Sequence, residues 1–141
     1  LWKKIYSRRT FDKEGALTAC KTLVETALKH LLDDQEIAHS TKDDIKDLYK
    51  KVSDAYGLKP REQVSEGFTK LCSGYISIID GIAEIRNKYG DAHGKSGNIK
   101  DGLEQCHIDF VINMTGSIVT FLLSLLKSDQ EDTVTSPEVR G

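Results

Sequence analysis

Val64, Phe68, Leu71, Tyr75, Ile78, Ile82, Ile85 and Tyr89 follow one another in steps of four and three without a miss. Apolar residues at that period line one face of an α-helix; a strand needs period two. An apolar stripe of this length must be covered, and the rest of the chain offers only more helices to cover it. Asp12 can cap a helix with Ala16, Ala19, Cys20, Leu23, Ala27, Leu28, Leu31 and Leu32 on one face. Asp33, Asp34 and a polar run to Ser40 and Thr41 end it. A third element runs from Asp43 to Tyr56, with Ile45, Leu48, Tyr49, Val52 and Tyr56 aligned and Gly57 as its stop. Gly90 ends the 64–89 helix. A last helix, about 99 to 126, has the stripe Leu103, Cys106, Phe110, Met114, Ile118, Phe121 and Leu125. No alternating pattern occurs, and the two prolines, Pro60 and Pro137, fall where helical periodicity lapses. The expected fold is all-α, an antiparallel bundle of four to five helices.

Composition limits what such a bundle does. The 141 residues suffice for one core. Twenty basic and 22 acidic side chains leave a net charge of -2, with pI near 6.1, which excludes a generally basic nucleic-acid coat. Any RNA contact must come from a local patch. Residues 1–11 are expected to be a basic lead-in, a linker from a missing N-terminal region, carrying Lys3, Lys4, Arg8 and Arg9 around Trp2, Ile5 and Tyr6. Residues 12–127 would form the bundle and 128–141 a polar, disordered tail. Cys20, Cys72 and Cys106 lack metal-ligand spacing and read as reduced thiols in the helix core of a cytoplasmic chain. Ile118 to Leu126 is far shorter than a membrane span, so no membrane partner is expected. The chain opens at Leu1 without Met, which suggests a domain excised from a longer protein.

Several patterns carry no chemistry. Gly94-Lys95-Ser96 ends a loop with only three residues between Gly90 and Gly94, after a helix rather than a strand, so it is not a phosphate-cradling P-loop. Asn113-Met114-Thr115 matches a glycosylation pattern but lies inside a helix. His30, Asp33, Asp34, Glu36, His39, Asp43 and Asp44 lack recognised ligand spacing and read as a solvated face. His107 reads as a boundary histidine bonded to backbone or solvent.

One constellation remains: Arg86-Asn87-Lys88-Tyr89-Gly90-Asp91-Ala92-His93-Gly94. The turn at Gly90 would bring His93 back to the helix end that carries Arg86 and Asn87. Arginine forks onto phosphate oxygens and stabilises an anionic phosphorane. Histidine titrates near neutrality and can move the proton of a ribose 2′-hydroxyl or of a leaving oxygen. No carboxylate cage lies nearby in sequence, so the chemistry would use no metal or other cofactor. Spacing alone does not decide, because an arginine and a histidine also serve to tie a helix end to its loop.

The surrounding string is similar to the signature of the abortive-infection C-terminal domain family, within the wider HEPN superfamily of helical ribonucleases. There an arginine and a polar residue precede a histidine after four to six intervening residues; here six separate Arg86 from His93 and Asn87 is the polar residue. Ala16 through Leu32 resembles the family's first core helix, and Asp47-Leu48-Tyr49-Lys50 and Ser73-Gly74-Tyr75 add to the likeness, which covers about residues 12–126. The resemblance implies a HEPN bundle that forms a homodimer with a composite cleft. It implies RNA as substrate and a sensor or ATPase domain on the same or a partner chain, in phage defence. Arg86 would bind the scissile phosphate, Asn87 would orient it, and His93 would act as general base or acid. Lys88 and Lys95 would add charge for the RNA backbone. Some HEPN toxins carry a modifiable tyrosine two residues after the histidine; here that place is Lys95. Members with the motif can also be non-catalytic dimerisation, regulatory or RNA-binding modules, the alternative for this chain.

Overall fold

The computed structural model describes residues 2–58, positions 66–67, 70–71, 74–75, 77–78, 80–81 and 84–85, and residues 104–135. The chain is all-α. Its continuous helices among the described residues are α1 (Trp2–Arg8), α2 (Lys13–Asp34), α3 (Ile45–Tyr56) and α4 (Gln105–Thr135). Every described position between 66 and 85 is also helical.

Caps set where helices start and stop. Asp12 Oδ1 accepts from the Gly15 amide at 2.9 Å, which satisfies one of the amides a helix start leaves open. Asp44 and Asp47 form a reciprocal capping box at the head of α3. Gly57 closes α3 with φ 67°, the left-handed conformation in which glycine carries no Cβ penalty. Asp12 and Gly57 thus act as the sequence predicts, whereas Asp43, expected to open the third element, precedes its Asp44 cap.

The core has two connected clusters. The first half of α2 (Ala16, Leu17, Cys20) meets the first half of α4 (Ile108, Val111, Ile112), with Ile5 of α1 against both. The second half of α2 (Val24 to Leu32) meets Ile118, Val119 and Leu122 of α4 and the buried face of α3. Helices α2 and α4 therefore run parallel. Tyr75 and Ile78 pack on the second cluster and Ile78 and Ile85 on the first, so the 66–85 helix runs opposite to both. Tyr75 stacks on Phe121 with ring centroids 5.7 Å apart, and Lys46 pairs with Asp80 at 3.0 Å. Leu71, on the same predicted stripe, is exposed. The Tyr56 hydroxyl donates to the Leu31 carbonyl at 3.2 Å, which fastens the end of α3 to the end of α2.

Three expectations need correction. The lead-in is helical: Ile5 is fully buried, and α1 lies across α4. Helix α4 continues past Leu126 to Thr135. The predicted stripe of α4 is also rotated. The buried face is Ile108, Val111, Ile112, Thr115, Ile118, Val119 and Leu122, whereas Phe110 is 59% exposed and Cys106 is exposed. The physical reason is that α4 is apolar nearly all round. Within residues 105–126 an 18-residue window has a mean hydropathy of 1.7, long and apolar enough by composition to cross a membrane, although part of this stretch packs in the core. Two stripes then satisfy the same spacing, and the small side chains of α2 (Ala16, Cys20, Ala27) select the β-branched one. Thr115, buried in that face, donates to the Val111 carbonyl at 2.8 Å and hydrogen-bonds with Cys20.

Two predictions follow from the rotated face. Ile112→Ala should cost about 2–5 kcal/mol in denaturant unfolding, and Phe110→Ala about 0.5 kcal/mol or less. Equal losses would restore the original stripe. Burial pushes the Cys20 thiol pKa up, and thiolate is the reactive form. A maleimide should therefore label Cys106 in the native protein but Cys20 only after unfolding, as read by peptide mass spectrometry.

Candidate functional site

Parallel packing of α2 and α4 puts both of their N-termini at one end of the bundle. Ile85 packs against the cluster that holds Ile108, and α4 opens one turn before Ile108. The 66–85 helix therefore arrives at the same end from which α4 departs. Arg86 follows Ile85 directly in sequence. Arg86, Asn87, Lys88, His93 and Lys95 themselves lie outside the described residues, as do Gly90 and the 90–97 loop.

The described surroundings of that end are polar and tied together. The Gln105 side-chain amide donates to the Arg9 carbonyl at 3.0 Å and to Asp109 Oδ1 at 2.9 Å. Arg9 Nε stands 3.7 Å from Asp109 Oδ1, and its guanidinium lies 3.8 Å over the Tyr6 ring. These contacts lock the α1–α2 corner to the head of α4. His107 Nδ1 accepts from the Glu104 amide at 3.0 Å, the back-half of a capping box. This histidine is therefore a helix cap, in line with the backbone partner expected for it. Asp12 and His107 occupy amides at the starts of α2 and α4.

Other candidates resolve into structure. His39 Nε2 meets Asp33 Oδ1 at 2.7 Å. Lys51 Nζ bridges Asp43 Oδ2 at 2.8 Å and the Ala38 carbonyl at 3.2 Å, which staples the α2–α3 connection. The Lys51 ammonium holds the Asp43 carboxyl below its ordinary range. Among the described residues no group of three or more His, Cys, Asp or Glu side chains is placed to hold a metal ion.

Sequence reasoning missed one concavity. A groove of about 840 Å³ runs along α4 beside Trp2 of α1 and Leu23 of α2, with Asn113, Ser117, Thr120 and Phe121 among its lining residues. A signal was there to find: Asn113, Ser117, Thr120 and Ser124 step by four, three and four, a polar line along an otherwise apolar helix.

With this fold in view, the chain was compared with known proteins. No curated protein and no solved structure matches it. The family model Abi_C, described as a HEPN-like domain, matches residues 2–126, which takes in α1 as well as the bundle. Residues 2–126 are most of the 141, and the all-helical architecture agrees, so the chain belongs to the Abi_C family of HEPN-like domains.

Proposed function

We propose that this HEPN-like domain is a metal-independent endoribonuclease of a phage-defence protein, acting as a homodimer in the cytoplasm. The observation that carries the proposal is the string Arg86-Asn87-…-His93, directly after Ile85, in a chain of this family. Ile85, the residue directly before the arginine in sequence, packs on the core.

The chemistry follows from the residue types. His93 of one subunit takes the proton from a ribose 2′-hydroxyl as its oxygen attacks the adjacent phosphorus. Negative charge builds on the pentacoordinate phosphorus, and Arg86 neutralises it through paired N–H donors. Asn87 orients a phosphate oxygen by its amide. The 5′-oxygen leaves with a proton from the partner subunit's His93. The products are a 2′,3′-cyclic phosphate and a 5′-hydroxyl, with all bonding changes at phosphorus and no redox step. Lys88 and Lys95 add charge along the RNA backbone. A sensor or ATPase domain on the same or a partner chain would govern access.

His93→Ala should lower cleavage of a mixed tRNA and single-stranded RNA panel, in excess EDTA, by about 10²–10⁴-fold without altering the thermal unfolding midpoint. Cleavage at the wild-type rate would refute the role. Raising salt should weaken cleavage by wild type, with Lys88→Ala and Lys95→Ala each flattening that dependence. A rate indifferent to salt would remove the lysines from the site.

A further inference from the structure

The α1–α4 groove contains none of the residues assigned to cleavage. Trp2 forms one wall. A Cβ built on Gly116 would stand 2.8 Å from the indole, so glycine is what lets the ring lie against α4. Trp2 remains 39% exposed, which leaves part of its aromatic surface accessible. Facing it along α4 runs the polar line of Asn113, Ser117, Thr120 and Ser124. The Thr120 hydroxyl donates to the Gly116 carbonyl at 2.7 Å and that of Ser124 to the Phe121 carbonyl at 2.5 Å. Their oxygens keep lone pairs to offer as acceptors, and the Asn113 amide supplies both donor and acceptor. An aromatic plate beside hydrogen-bonding groups suits an unstacked nucleobase, which presents a π-face and polar edges.

Charge selects among occupants. Residues 1–11 contain Lys3, Lys4, Arg8 and Arg9 and no acidic residue, in a chain of net charge -2. Lys3, Lys4 and Arg8 are exposed. A second copy docked here by two-fold symmetry would bring this positive strip toward its own like charge. A bilayer surface favours segregated apolar and cationic faces. Here the most apolar residue of α1, Ile5, faces the core, and Asn113, Ser117, Thr120 and Ser124 run as a polar line through a lining that Leu23, Val119, Phe121 and Leu123 otherwise make apolar. A phosphate chain with unpaired bases meets both the lysines and the groove.

We infer that the groove holds an unpaired base of a single-stranded RNA, with the α1 cations on its phosphates: a substrate-anchoring site apart from the cleaving end. The inference rests on RNA being the substrate, as proposed above. Helix α1 leads from Trp2, beside Gly116, to Arg9, beside Gln105 and Asp109, about 10 Å along the axis. It thus points from the groove to the end of the bundle against which Ile85 packs.

Trp2 is the chain's single tryptophan, so emission excited on the red side of tyrosine absorption reports on this groove alone. The probe is a single-stranded 2′-O-methyl oligoribonucleotide, which lacks the hydroxyl needed for self-cleavage. Titration should quench the emission, with the same midpoint as the anisotropy of a labelled probe. Trp2→Ala should weaken binding about tenfold or more, as loss of one stacked base does. Ser117→Leu, an exposed position that should leave the fold intact, should weaken it comparably by filling the groove. Emission that stays constant while the probe binds would overturn the assignment, as would unchanged affinity in both variants. Quenching by phosphatidylserine vesicles alone would reassign the groove to a membrane, and a shift with protein concentration alone would give it to a second copy. Quenching by the probe, with ordinary RNA left uncut, would keep the groove and remove the ribonuclease. Cleavage that depends on His93 with a silent Trp2 would do the reverse.

Discussion

Everything in this molecule is arranged around the seam between α2 and α4. Small side chains on α2 (Ala16, Cys20, Ala27) let the β-branched face of α4 approach closely, and Thr115 sits in the seam with its hydroxyl returned to the backbone. Each large apolar side chain removed from water there contributes roughly 1.5–3 kcal/mol. Because the contact runs half to half along both helices, α2 and α4 are parallel, and their two N-termini share an end. The 66–85 helix must then run opposite to both. That topology, rather than any local loop geometry, brings Ile85 to the end where α2 and α4 begin.

The second organising element is α1. A seven-residue helix has little stability of its own, and this one is held by tertiary contacts at both ends. Trp2 lies over Gly116, Ile5 is buried, and Gln105 holds the Arg9 carbonyl. The same docking builds the groove and directs a basic strip toward the candidate catalytic end. Structure and charge are thus coupled: the helix that closes one side of the core also carries the densest positive charge of the described chain.

The sequence was legible where one face of a helix meets one partner. Ile45, Leu48, Tyr49 and Val52 are buried as their spacing predicts, Gly57 closes that helix, and Asp12 caps α2. It misled where a helix has more than one apolar face. Leu17 and Val24 are buried in addition to the predicted stripe of α2, because α2 is covered by α1, α3 and α4. In α4, Phe110 and Cys106 match the period as well as Val111 and Ile108 do; only the identity of the facing helix separates them. The lead-in was opaque for another reason: Ile5 alone is too little pattern to announce a packed helix. As for the candidate site, the family match agrees with the resemblance that its residue string suggested, and the described fold accounts for the anchor at Ile85. The groove was foreshadowed by small polar residues at helical spacing, a weaker pattern than a charged motif and easily taken for ordinary solvation.

The central claim is that this HEPN-like domain cuts RNA by attack of the 2′-hydroxyl. The most direct measurement is mass spectrometry of the fragment ends left by the purified domain in excess EDTA. The account predicts 2′,3′-cyclic phosphate and 5′-hydroxyl ends. Ends bearing 3′-hydroxyl and 5′-phosphate, which require an external water to attack phosphorus, would contradict it.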